Sequence, residues 1–306
     1  MSETISTISG DSHEVDFSIV VPTYDRPDGL KRCLHALANM EYPHTAFEVV
    51  VINDGGKATS EVLIGPFSGQ LNLRCIHQEN AGPASARNAG IAVARGHYIA
   101  LTDDDCAPAK DWLTKLKVCF DREPNCAVAG RTDNGLTGNP YSTASQLLID
   151  YLMSYYNRDG AAKGFGTSNN LAFPRDALLE IGGFDESFPL SAAEDRELID
   201  RWVGAGNNLV YSREAVVVHF HQMSFKGYTR QHSNYGRGAY RYHSIRATTA
   251  RSAVKREPAS FYLDMLKHPF ERGFGLFGGI RISLLIAWSQ FANAYGYFRE
   301  RLANTR

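Results

Sequence analysis

No two of the five cysteines (33, 75, 106, 119, 126) form a CxxC pair, and their odd number leaves one over. That excludes a disulfide framework and fits a reducing compartment, hence a cytoplasmic protein. No apolar h-region occurs in residues 1–16, which are polar and acidic, so a secretory signal is absent and a frayed tail is expected there. No GxGxxG follows the first apolar run and no GxxxxGK[ST] occurs anywhere, which removes the phosphate cradles of dinucleotide and P-loop proteins. No low-complexity tract or internal repeat is visible. The uncharged stretch 282–298 has 17 residues, short of the ~20 that a spanning helix needs.

What remains is ordinary globular composition, 43% hydrophobic and 21% charged, in a length that suits one large domain or two small ones. The net charge of −1 conceals an asymmetry. Residues 221–306 hold 14 Lys/Arg against 4 Asp/Glu, a balance of +10, and residues 1–220 hold 18 against 29, a balance of −11. The basic part faces either something anionic, a phospholipid surface or a polyphosphate, or the acidic part of its own chain. No nucleic-acid motif accompanies it, so nucleic acid is not expected as a partner.

Apolar runs at 17–21, 47–52, 98–101 and 127–129 predict strands, and helical spacing predicts helices over 28–39, 85–95 and 111–120. Strands alternating with helices predict an α/β fold with a mainly parallel sheet flanked by helices. Further on, helices are expected over 143–156 and 193–205, and two strands over 209–211 and 215–218. The break near 222 divides a domain of 17–221 from a basic, aromatic helical extension of 222–306. Trp288, Tyr295 and Tyr297 with flanking arginines suit an interfacial helix, peripheral on a membrane. A helix packed on the domain, or at a contact between copies, fits as well.

The chemistry concentrates after the strands. Asp103, Asp104 and Asp105 end the 98–101 run abruptly, and Asp is a poor strand former. Carboxylates at a strand tip suit a divalent cation with substrate phosphates, or else cap the next helix. Pro22, Thr23, Tyr24 and Arg26 follow the first run. Asp54, in Asn53-Asp54-Gly55-Gly56, stands either at a base or ribose or in an ordinary turn. Arg87 opposes the dipole of the helix it opens, so it suits a phosphate or the aspartates better than stability. Glu194 and Asp195 open another helix, where acidic residues are structurally expected, and one of them suits a general base. His219 and His221 alternate onto one face, and one of the two is expected to matter. A carboxylate-nucleophile phosphatase would carry Thr or Val where this chain has Ala107.

Taken in order, these segments resemble the family 2 glycosyltransferases with the GT-A fold. The matching pieces are 18–24 (SIVVPTY), 49–55 (VVVINDG), 82–90 (GPASARNAG), 101–105 (LTDDD), 167–173 (TSNNLAF), 181–186 (IGGFDE) and Glu194-Asp195. The resemblance implies an inverting transfer of a sugar from a nucleotide-sugar donor, most often a UDP-sugar, to a glycan or lipid-linked acceptor. It implies that Pro22, Thr23, Tyr24, Arg26, Asp54, Arg87, Asp103 and Asp104 bind the nucleotide. It implies Mn²⁺ or Mg²⁺ on Asp105, with Asp103 and His219, and Asp195 as the base. Asn169, Asn170 and Glu194 would line the donor and acceptor pocket. The Gln-x-x-Arg-Trp of processive members is absent, which implies single-sugar transfer. A GT-A protein that binds sugar nucleotides without catalysis is the alternative. A sugar nucleotidyltransferase is another, although its glycine-rich signature is missing.

Overall fold

The computed structural model describes residues 15–58, 60–158, 164–188, 190–248 and 257–304. Of the expected tail, residues 1–14 lie outside them. The Asp16 backbone N–H donates to the Ala46 carbonyl at 2.8 Å.

One eight-stranded mixed sheet forms the centre. Its strands are β1 (Phe17–Thr23), β2 (Phe47–Asp54), β3 (Leu73–Gln78), β4 (Tyr98–Leu101), β5 (Cys106–Pro108), β6 (Ala127–Asn134), β7 (Leu171–Pro174) and β8 (Leu209–His219). They lie in the order β3-β2-β1-β4-β7-β6-β8-β5. The first four pair in parallel, β7 runs antiparallel to β4 and β6, and β5 runs antiparallel to β8. β1 and β2 are buried along their whole length, which is why largely apolar runs mark them, interrupted by Ser18 and Glu48, whose side chains meet at 2.7 Å.

The expected strands at 209–211 and 215–218 are one strand, β8. It stays paired with β6 through a register shift at Gly130/Arg131, so the polar residues between the two apolar stretches mark an irregularity and not a turn. β3, β5 and β7 carry no clear pattern in sequence. β3 is half-buried at the sheet edge, and β5 and β7 are short.

Helices α1 (Pro27–Ala38), α2 (Ser60–Ile64), α3 (Pro83–Val93), α4 (Trp112–Arg122), α5 (Pro140–Tyr156), α6 (Arg175–Glu180) and α7 (Glu194–Gly204) complete the α/β part. Leu30, Cys33, Leu34 and Leu37 turn α1 onto one face of the sheet, while Ile91 of α3 and Leu198 and Trp202 of α7 pack on the other. α3 begins two residues earlier than expected. Gly82 precedes it at φ +92°, a conformation that suits glycine, and Arg87 falls in its second turn.

Among the described residues three helices follow: α8 (Phe225–Thr248), α9 (Ala259–Glu271) and α10 (Gly275–Ala303). α8 and α10 approach closely through glycines. A Cβ on Gly236 would stand 1.8 Å from the Asn293 carbonyl oxygen, and one on Gly296 would stand 1.9 Å from that of Ser233. Both aspects of the charge asymmetry are present. Arg246 pairs with Asp200 of α7, joining the basic extension to the acidic part, while other cations stay exposed. Gly236→Ala is expected to lose about 1–3 kcal/mol, because backbone and not a flexible side chain blocks the new methyl. Urea denaturation measures it, and an unchanged midpoint would refute the close packing of α8 on α10.

Candidate functional site

The C-terminal ends of β1, β2 and β4 lie side by side, so the loops after them form one sheet edge. The aspartates sit at its centre; Asp104 and Asp105 share Arg26, and each of the three has a further partner of its own. Asp104 points inward: it is wholly buried and accepts from the Thr23 hydroxyl at 2.7 Å. Burial pushes its carboxyl up to about 7, against the pull of Arg26. Arg26 reaches back over the edge, with one guanidinium nitrogen 2.7 Å from Asp104 and the other 2.6 Å from Asp105.

Asp105 Oδ1 lies 3.2 Å from His219 Nε2. Burial raises the Asp105 carboxyl, but the His219 hydrogen bond and charge together with Arg26 hold it well below the usual carboxylate range. Burial alone would lower His219, yet Asp105 raises it. The His221 ring stands 5.0 Å from that of His219, and burial and its neighbour's charge lower it to about 4. The two histidines share a face, as alternation requires, and their environments separate them.

The ligand atoms of Asp105, Cys106 and His219 lie within 4.8 Å of one another. Burial pushes the Cys106 thiol well up, so it is neutral and a poor ligand. An ionised carboxylate beside an imidazole, open to a cavity, fits a divalent cation. Asp103 stands outside this cluster, because its carboxylate accepts from Arg87 at 2.8 Å.

Arg87 is 1% exposed. It joins Asp103 to Glu194, which lies 3.2 Å from its other terminal nitrogen. Glu194 also accepts from the Ala192 N–H at 2.6 Å, so both of its oxygens are engaged. Burial and the Asp195 charge raise the Glu194 carboxyl, and burial raises that of Asp195. Asp195 Oδ1 accepts from the Arg196 N–H at 2.7 Å, whereas Oδ2 has only a long contact, 3.4 Å, with the Ser168 N–H.

A cavity of about 770 Å³ brings together Arg26, Asp103, Asp105, Asn169, Glu194, Asp195 and His219. Several sequence candidates lie elsewhere. Asn170 is spent on structure: it accepts from the Trp112 indole at 2.9 Å and donates to the Arg131 and Ala215 carbonyls. It is not among the residues that line this cavity. Asp54 accepts from Gln78 and from the N–H groups of Ala81 and Gly82, so it fixes the entry to α3. Pro22, Thr23 and the half-exposed Tyr24 belong to the β1 edge outside the cavity.

Sequence reading missed the far wall, which the extension supplies. Gln231, His232 and Tyr235 of α8, Phe261, Tyr262 and Met265 of α9, and Gln290 and Asn293 of α10 all line the cavity. Gln231 Oε1 and His232 Nε2 are buried without a hydrogen-bond partner among the described residues. Their only sequence signal was their place, where processive relatives carry another motif.

The family model for glycosyl transferase family 2 matches residues 18–182. The chain belongs to this family. It is 27% identical over 239 residues to the pre-mycofactocin glycosyltransferase of Mycobacterium tuberculosis, covering 76% of this chain and 48% of that protein. To the chondroitin synthase of Escherichia coli it is 26% identical, covering 59% of this chain and 31% of that one. The chain thus spans about half or less of these relatives. Among solved structures, the Pyrobaculum calidifontis mannosyltransferase in complex with GDP-Man and Mn²⁺ superposes with a TM-score of 0.63 at 17% identity, over 95% of this chain and 87% of that one. S. aureus TarS with UDP-GlcNAc gives 0.55 at 18%, over 95% and 92%. The GT-A fold is shared, and the sheet edge described above is built on it.

Proposed function

We propose that this glycosyltransferase moves one sugar from a nucleotide diphosphate sugar to an acceptor hydroxyl, with inversion at the anomeric carbon. The observation that carries the reading is Asp195. It is a half-buried carboxylate with raised basicity and one nearly free oxygen, and it lines the same cavity as Asp105 and His219. A base in that state takes the proton of an attacking hydroxyl, and one in-line displacement inverts the centre. The nucleotide would lie over the β1, β2 and β4 edge near Pro22, Thr23, Tyr24 and Asp104, with Arg26 free to exchange its aspartates for phosphate oxygens.

Asp105 and His219 would hold a divalent cation that stabilises charge on the departing diphosphate. Carboxylates suit Mg²⁺ and Mn²⁺ and imidazole suits transition ions, so this pair favours Mn²⁺. The mannosyltransferase neighbour contains Mn²⁺ with GDP-Man, and TarS binds UDP-GlcNAc, so either base remains open to assay. Gln231 and His232 would accept or donate to acceptor hydroxyls, since both have unused polar atoms at the cavity. The acceptor would be a glycan or a lipid-linked sugar, and the +10 balance of the basic extension supports contact with an anionic membrane.

Screening nucleotide sugars for Mn²⁺-stimulated hydrolysis tests the reading, and chelation should abolish the activity. Asp105→Asn should raise the Mn²⁺ concentration for half-activity by about 10–100-fold, the range for weakened metal sites. Hydrolysis unaffected by chelation, or an unshifted Mn²⁺ titration, would remove the cation from the reading. A purely binding protein would hold nucleotide without turnover.

A further inference from the structure

α10 is apolar on two opposite sides, and the two sides differ in kind. Gly279, Ile282, Ile286, Ser289, Ala292 and Gly296 are buried. They are mostly small, and they let α8 approach to backbone contact. The outer side is large. Phe277, Leu284, Phe291 and Phe298 recur every seven residues, as do Trp288, Tyr295 and Leu302, and all are at least 40% exposed. At about 100° per residue these seven form one narrow stripe, and the exposed Arg281 and Arg299 project from one edge of it. Tyr262, Leu263, Phe270 and Phe274 extend the exposed apolar surface onto and just beyond α9. Monomeric soluble proteins rarely expose a continuous apolar patch of this extent.

We propose that this outer face of α9 and α10 lies flat on a phospholipid leaflet with anionic headgroups. The inference rests on the membrane contact in the functional reading and says which surface makes it and how. Large residues outward with small residues at the helix–helix contact is the pattern of packing in lipid. The flanking arginines, in a segment carrying +10, match anionic headgroups, and no acidic residue lies between Arg281 and Arg299. By length and composition α10 is able to cross a bilayer, but its other side carries α8 with Arg230, Arg237 and Arg241, and Arg237 is paired to Glu300 at 2.6 Å, which disfavours spanning. The helix therefore lies in the interface plane. Tyr262 is 45% exposed and also lines the cavity, so exposed apolar surface of α9 reaches the rim where an acceptor carried by a lipid would enter.

Tryptophan fluorescence reads the contact directly. The chain has three tryptophans; Trp112 and Trp202 are wholly buried, and Trp288 is 43% exposed on the stripe. With the full chain, phosphatidylcholine–phosphatidylglycerol vesicles carrying brominated acyl chains should quench Trp288 and pellet the protein. Pure phosphatidylcholine vesicles should bind it at least several-fold more weakly. Leu284→Glu/Phe291→Glu should abolish both signals, and Arg281→Glu/Arg299→Glu should abolish the preference for anionic lipid. Absence of quenching and pelleting overturns the proposal. So does a dimer in solution that the Leu284→Glu/Phe291→Glu variant dissociates while vesicles bind neither form, because a second copy then covers the face. Mn²⁺-stimulated donor hydrolysis should be equal in the variants. Vesicle binding by a chain that hydrolyses no donor supports this surface and sinks the catalytic reading instead.

Discussion

Asp195→Asn is expected to lower kcat by about 10²–10⁴-fold, the usual contribution of a positioned base, and to leave nucleotide affinity nearly unchanged. Asparagine keeps the shape, and its one amide oxygen can still accept from the Arg196 N–H while its NH2 replaces only the oxygen of the long Ser168 contact, so the start of α7 should hold. It cannot take a proton from the acceptor. The choice of Asp195 over Glu194 follows from their partners. Glu194 has both oxygens engaged by Arg87 and the Ala192 N–H, while Asp195 Oδ2 has only the long Ser168 contact. The pH profile adds a second readout. Burial raises both carboxyls, so the base gains its proton above the usual carboxylate range, and kcat should fall as pH falls through that raised value. The limb belongs to the Glu194–Asp195 pair. It should flatten in Asp195→Asn, and titration calorimetry with the nucleoside diphosphate should show intact binding. Near-normal turnover in this variant would place the base elsewhere.

Different parts of the molecule were readable in sequence to different degrees, for physical reasons. β1, β2 and β4 announce themselves because strands covered on both faces need continuous apolar runs. β3 reads Leu-Arg-Cys-Ile-His-Gln because it is a half-buried edge, and its polar residues hide the strand. β5 has three residues directly behind the aspartates and owes its existence to antiparallel pairing with β8 more than 100 residues later. At the site, residue types were legible and partners were not. The aspartate triplet could be marked from its abruptness, but nothing local says that Asp104 is turned to Thr23 while Asp105 is turned to His219. Asn170 stands beside Asn169 in the same motif, yet the close approach at Gly130 draws its amide into the core. The far wall of the cavity was least legible, since Gln231 and His232 reach it only because α8 and α10 dock by their glycines.

Arg87→Met should be the most destabilising single change at the site, with a loss of about 3–5 kcal/mol, as expected when one partner of a buried ion pair is removed. Arg87 is 1% exposed, and its guanidinium joins Asp103, after β4, to Glu194, at the start of α7. Burial lowers its proton affinity, but the charges of Asp103 and Glu194 overcome this and raise it, so the cation is present at any working pH. Methionine fills much of the volume and leaves Glu194 buried without its counter-ion. That carboxyl, already raised by burial and by Asp195, should rise further and hold a proton near neutrality. An acid whose folded-state pKa lies above its unfolded value is most favourable to folding when protonated, and that advantage is lost as pH rises through the folded value. The deficit of Arg87→Met should therefore be smallest in mild acid and should grow toward alkaline pH. Urea denaturation of wild type and variant at pH 5 and pH 8 reads the difference. Adding Glu194→Gln to Arg87→Met should recover part of the alkaline deficit, because a neutral amide needs no counter-ion, and a double-mutant cycle isolates that coupling. A deficit that is the same at both pH values and is not relieved by Glu194→Gln would mean that Arg87 holds the site mainly by packing over the Phe184 ring, 5.5 Å away, and not by charge.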